Sequence, residues 1–169
     1  LDSATVTGNT IEGSAAGDGF SQAVRVGSSG ASLSNISIEL NKLNDGDVGV
    51  LVRGDGVADG SVTIRENDLS DNTLGVENQG SSLVDASANW WGWTDATGVE
   101  GEANGGDGVD FTPWLGGGTD DDPGFYGDYS ELYVWEGSDQ SGSDDHIYEG
   151  LVMAWGSTVH VLPPRESIA

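Results

Sequence analysis

Short apolar and polar positions alternate along the first ninety residues, and the alternation recurs at intervals of 22 to 32 residues. Four segments align without gaps: Ala4 to Gly13, Ile36 to Asp45, Val62 to Asp71 and Val84 to Trp93. Each opens on two apolar residues separated by a polar or acidic one, such as Ile36-Ser-Ile38 and Val62-Thr-Ile64. Each has Asn in sixth place (Asn9, Asn41, Asn67, Asn89), followed two places later by Ile11, Leu43, Leu69 or Trp91. A second register lies between them: Ala23 to Val26, Gly49 to Val52 and Gly75 to Asn78, spaced by 26 each time. Strand side chains alternate between faces, so these segments predict short strands with one apolar face. No stretch repeats apolar residues at helical spacing over three turns, which excludes long helices.

The period then dictates the architecture. The ladder asparagines are spaced by 32, 26 and 22 residues. A copy of that length holds about three strands and cannot bury its own apolar side, so successive copies must stack. Stacking in parallel at about 4.8 Å per copy puts Val6, Ile38 and Ile64 inward. Past the bend it does the same for Ile11, Leu43, Leu69 and Trp91. Asn at the bend is suited to left-handed geometry and can pass side-chain hydrogen bonds from copy to copy. The expected role of Asn9, Asn41, Asn67 and Asn89 is therefore structural. The expected fold is an all-β solenoid.

An apolar pair, then Asn, then x-Ile/Leu, followed by Gly-Val-x-Val, resembles the repeats of pectate-lyase-like proteins. That resemblance implies a right-handed parallel β-helix. Val84-Asp-Ala-Ser-Ala-Asn-Trp-Trp-Gly92, with Ala96-Thr-Gly98 and Val109-Asp-Phe-Thr-Pro-Trp-Leu115, is similar to the terminal coil of bacterial and archaeal surface β-helix proteins. Residues 1–115 are accordingly expected to be the last coils of such a helix. Trp91 would close the core, and Trp90 would face outward. Paired aromatics also suit carbohydrate stacking.

From Gly116 the repeat stops, and 116–128 reads as an acidic, Gly-rich linker. Residues 129–169 resemble the opening of a further β-helix. There is a strand at Glu131 to Trp135, then an amphipathic helical cap within Asp145 to Trp155, then a strand at Thr158 to Leu162. The cap would present Ile147 and Leu151 on one face and start at Asp144 or Asp145. It would cover the first coil of a second β-helix, or of a neighbouring subunit's. The chain is expected to begin and end in mid-coil, either at an arbitrary boundary or as one link of an array or a subunit that joins head to tail.

Charge narrows the partners. The 169 residues hold 29 acidic and 5 basic side chains, a net of -24, which repels nucleic acid and anionic lipid. No apolar run is long enough to insert into a membrane. The chain has no Cys, which fits an extracellular or cell-surface protein, and a start other than Met is expected of a processed product or an excised fragment. Asp120, Asp121 and Asp122 could hold Ca²⁺ through clustered oxygens, though they lack the EF-hand frame and no cofactor is required.

Catalysis is not expected. A polysaccharide lyase needs a basic residue near a bound uronate, and Arg25, Lys42, Arg53, Arg65 and Arg165 do not converge. Arg25 and Arg53 are 28 apart where the register is 26. Asp45 and Asp71 follow equivalent bends, but wet turn carboxylates lack the raised pKa that a glycosidase acid needs. His146 and His160 have no matching ligand set. The sequence thus reads as a structural or adhesive unit whose partners are itself or adjacent domains. The alternative is a carbohydrate-binding or polysaccharide-cleaving β-helix.

Overall fold

The computed structural model describes residues 3–13, 21–28, 32–53, 61–103, 108–117, 131–135 and 158–162. The expected capping helix, most of the linker, and Asp120, Asp121 and Asp122 lie outside the described residues.

The described chain is all-β, with one short helix among the described residues. In order, its strands are β1 (Ala4–Thr7), β2 (Thr10–Glu12), β3 (Val24–Val26), β4 (Ile36–Glu39), β5 (Lys42–Asn44) and β6 (Val48–Val52). These are followed by β7 (Val62–Arg65), β8 (Leu74–Asn78) and β9 (Val84–Asp85), then helix α1 (Ala96–Glu102). Strands β10 (Val109–Asp110), β11 (Trp114–Leu115), β12 (Glu131–Trp135) and β13 (Thr158–Leu162) complete it.

The strands assort into sheets by position in the repeat rather than by nearness in sequence. One sheet has the order β1-β4-β7-β9-β10, a second β2-β5 and a third β3-β6-β8. Every pairing within these three is parallel. Val6 stands opposite Ile38 and Ile38 opposite Ile64, while Val24 meets Val50 and Val50 meets Val76. Ile11 meets Leu43, and single parallel bridges at Asp68 and Trp90 carry that row onward.

This register sends one apolar set inward. Ile38, Leu43, Val50, Ile64, Leu69, Val76 and Trp91 are fully buried, while Val6, Ile11 and Val24 on the outermost strands are half-buried. Strands this short cannot stabilise one another through hydrogen bonds alone, so the stacked aliphatic rows hold them.

The corner before each ladder asparagine departs from the sequence expectation. The left-handed residue is the one preceding Asn: Gly8 (φ 68°), Leu40 (58°), Glu66 (57°) and Ala88 (54°). The asparagines themselves keep negative φ, because their amides must reach the neighbouring copy while the preceding peptide makes the bend. Stacked corner hydrogen bonds offset the strain of placing Leu, Glu and Ala there: Leu40 N–H donates to Glu66 O (3.1 Å), and Glu66 N–H to Ala88 O (2.8 Å).

At the other end the core turns aromatic. Trp91 meets Phe111 edge-on at 6.4 Å, and Phe111 meets Trp114 at 6.0 Å. Trp114 stacks on Tyr133 at 5.8 Å, and Tyr133 on His160 at 4.5 Å. The last two contacts follow a sheet in which β11 runs antiparallel to β12 and β12 parallel to β13.

Candidate functional site

Two side-chain arrangements stand out: a buried row of asparagine amides along the stack, and a carboxyl corner beneath helix α1.

The amide row is continuous from Asn9 to Asn89. Asn9 donates to Asn41 Oδ1 through both its backbone N–H and its Nδ2, each at 3.0 Å. Asn41 does the same to Asn67 Oδ1 at 3.1 and 2.9 Å, and Asn67 to Asn89 Oδ1 at 3.0 and 2.9 Å. Each Nδ2 also reaches backbone carbonyls. For Asn67 these are Arg65 O (2.8 Å) and, on the preceding copy, Ile38 O (2.9 Å). Asn41, Asn67 and Asn89 are buried, whereas Asn9 at the outer strand is exposed.

Of the apolar residues paired with this row, Leu43, Leu69 and Trp91 are fully buried and Ile11 is half-buried at the edge. Trp91 lies against Gly75, where a Cβ would come within 2.8 Å of the indole ring. Trp90 is half-buried.

A further rung has no counterpart in the other copies among the described residues. Asn72 Oδ1 accepts from Gly46 N–H (3.0 Å), and its Nδ2 donates to Leu43 O (2.6 Å) and Leu69 O (2.8 Å). Gly46 occupies the equivalent place one copy earlier, so no repeated asparagine marked the site.

The outward side of the first sheet ends in a compact polar row. Asp85 and Asp110 stand in register, both are buried, and Arg65 Nη2 is paired with Asp85 Oδ2. Ser87 Oγ donates to Asp85 Oδ1 at 2.7 Å, and Thr112 N–H approaches Asp110 Oδ1 at 3.4 Å. The phrase Val-Asp-x-Ser/Thr at 84–87 and 109–112 was the sequence signal for this pairing.

The corner is built on Trp93, Asp95 and helix α1. Asp95 caps the helix by accepting from Gly98 N–H at 2.9 Å, and Val99 and Ala103 are buried beneath it. The Trp93 ring lies on Gly98, where a Cβ would sit 2.5 Å from its atoms, so glycine is what lets the indole approach. Trp93 Nε1–H donates to Glu102 Oε1 at 2.6 Å, while Glu102 Oε2 is buried without a hydrogen-bond partner. Burial pushes the Glu102 carboxyl up to about 7; nearby Asp71 pushes the same way, and the Trp93 hydrogen bond opposes both. The indole itself remains 47% exposed.

Asp45 and Asp71 adopt matching left-handed conformations, each with φ 61°, and both are exposed. Arg25 stands opposite Leu51, so Arg53 lies two places further along, and both arginines are exposed. His160 is engaged with the Tyr133 ring. Among the described residues, no group of three or more His, Cys, Asp or Glu side chains is placed to hold a metal. No helix among them is long and apolar enough to cross a membrane. No protein-family model, curated protein or solved structure matches the chain.

Proposed function

We propose that this chain is a non-catalytic extracellular building unit of right-handed parallel β-helix, resembling pectate-lyase-like repeats, that stacks into a cell-surface array or head-to-tail filament. The observation that carries this reading is the order in which the chain visits its sheets. Strands β1, β2 and β3 belong to three different sheets, and β4, β5 and β6 return to the same three in the same order. Strand β7, the bridge at Asp68 and β8 repeat that order. A path that coils produces this succession, and a stack joined by amide rows and aliphatic rows makes a stiff rod.

The outer strands β1, β2 and β3 leave Val6, Ile11 and Val24 half-buried, and a further coil laid on them would complete their burial. That coil comes from the same protein or from a second copy. The strong acidity keeps such a rod soluble. Calcium held by Asp120, Asp121 and Asp122 belongs to the same proposal as an optional ligand. It is removed if neither EDTA nor added Ca²⁺ moves the melting temperature.

Electron microscopy with light scattering over a concentration series tests the filament version. Fibres, or a mass that grows with concentration, are expected. A monodisperse monomer throughout rules out self-assembly and leaves the array version.

A carbohydrate-binding role is a second reading, favoured by the exposed and fixed indole of Trp93. Retention on immobilised polysaccharide that Trp93→Ala abolishes would establish it. Uronate-lyase or glycosidase activity above background would place the chain among enzymes instead.

A further inference from the structure

We propose that Glu102 and Trp93 form a proton-operated latch that holds helix α1 on strand β8, closed when the Glu102 carboxyl is neutral and loosened when it ionises. The inference is independent of the reading of the chain as a structural unit.

The geometry supplies the parts. Glu102 is the last residue of α1 and is only 9% exposed, although it lies on a helix of seven residues. One carboxyl oxygen takes the Trp93 indole N–H, and the other is buried with no hydrogen-bond partner. Neutral, this carboxyl costs far less to bury than when it is charged. Ionised, it leaves a charged oxygen unpaired away from water, which is among the costlier arrangements in a protein interior. It also then sits at the helix end where backbone carbonyls already concentrate negative charge.

The surrounding charges offer no relief. Asp71, in the turn before β8, acts on Glu102 with the same sign. Strand β8 contributes Glu77, which is occupied by Gln79 Nε2 at 2.7 Å. Helix α1 itself carries Glu100 and its cap Asp95, both acidic. No Lys or Arg among the described residues is paired with Glu102. The latch has little else to keep it shut, because α1 is too short to be stable by itself and contains Gly98 and Gly101. What its closure covers is apolar: Val99 and Ala103 are fully buried beneath it. Opening would expose that patch beside the exposed Trp93.

The indole N–H of Trp93 reports the latch directly. In ¹H–¹⁵N spectra of the whole chain, its signal is identified among the six tryptophans by its loss in Trp93→Phe. The expected result is a signal that titrates with a midpoint near 7. Over pH 5 to 8, exchange of the α1 amides should rise by about 100-fold beyond the intrinsic effect of hydroxide. Glu102→Gln should flatten both curves. Asp71→Asn, at an exposed left-handed position that Asn also tolerates, should lower the midpoint. The proposal is overturned by a Trp93 signal that is flat from pH 5 to 9, or by a titration that persists in Glu102→Gln. It is equally overturned if the indole titrates while the α1 amides exchange at a constant opening rate. Should Glu102→Gln fail to fold, an unshifted midpoint in Asp71→Asn overturns it.

Discussion

Replacing Asn67 with alanine isolates the energetic worth of the amide row. Asn67 is 1% exposed, and its side chain serves both neighbouring copies. Without it, Asn41 N–H loses the Oδ1 acceptor at 3.1 Å, and Ile38 O and Arg65 O each lose a donor. A buried polar group left unpaired costs about 1–3 kcal/mol, and the carbonyls retain a second lone pair for other donors. The total is about 3–5 kcal/mol. Asn9→Ala removes an amide that donates to Asn41 Oδ1 and Thr7 O at the exposed end, where water replaces the lost partners, and should cost about 1 kcal/mol or less. For a chain of this size, 1 kcal/mol moves the melting temperature by about 2–4 °C. Asn67→Ala should therefore melt about 8–15 °C below the parent, and Asn9→Ala within a few degrees of it. Circular dichroism melts and urea titrations of the three proteins measure this. Equal losses at the two sites, or a loss under 1 kcal/mol at Asn67, would refute the claim that the row is cemented by desolvated amides.

Other perturbations have equally definite outcomes. Gly75→Ala drives a methyl group to within 2.8 Å of the Trp91 ring and should cost about 1–3 kcal/mol by urea titration, with a changed near-ultraviolet tryptophan signal. Asp95→Ala removes the acceptor for Gly98 N–H, and should cost about 1 kcal/mol and speed α1 amide exchange without touching the amide row. Glu102 holds its proton more tightly in the folded chain, with a pKa near 7 against an ordinary value of 4.5. Its contribution is therefore fully present below about 4.5 and lost as pH rises through 7, amounting to about 3 kcal/mol. Melting temperatures measured between pH 5 and 8 should fall more steeply in the parent than in Glu102→Gln.

The parallel register was legible in the sequence because two constraints coincide there. A strand that slips by one residue turns its apolar set outward, so Val24, Val50 and Val76 can align in only one way. The constant shift of 26 then extends that alignment from copy to copy. The corners were less legible. Glycine announces a left-handed residue at position 8, but Leu40, Glu66 and Ala88 carry no such mark and are held by the stacked turn around them. Helix α1 was missed because seven residues with two glycines show no helical period, and only the cap Asp95 and the Val99–Ala103 pair hint at it. Glu102 was illegible for a different reason. Its burial depends on where Trp93 folds over the helix, and one glutamate among many acidic residues looks like any other surface charge. The pairing of Asp85 with Asp110 was written in a repeated phrase, yet the burial of both comes only from the packed structure.

The amide row also bears on the chemical ageing of the protein. Deamidation of an asparagine begins when the backbone nitrogen of the next residue attacks the side-chain amide carbon. Along this row that nitrogen is already committed to the adjoining strand. Lys42 N–H donates to Asn9 O at 2.8 Å, Asp68 N–H to Asn41 O at 2.9 Å and Trp90 N–H to Asn67 O at 3.0 Å. The cyclic intermediate cannot form without breaking those pairings, so Asn41, Asn67 and Asn89 should outlast the asparagines of open loops for as long as the strands stay paired.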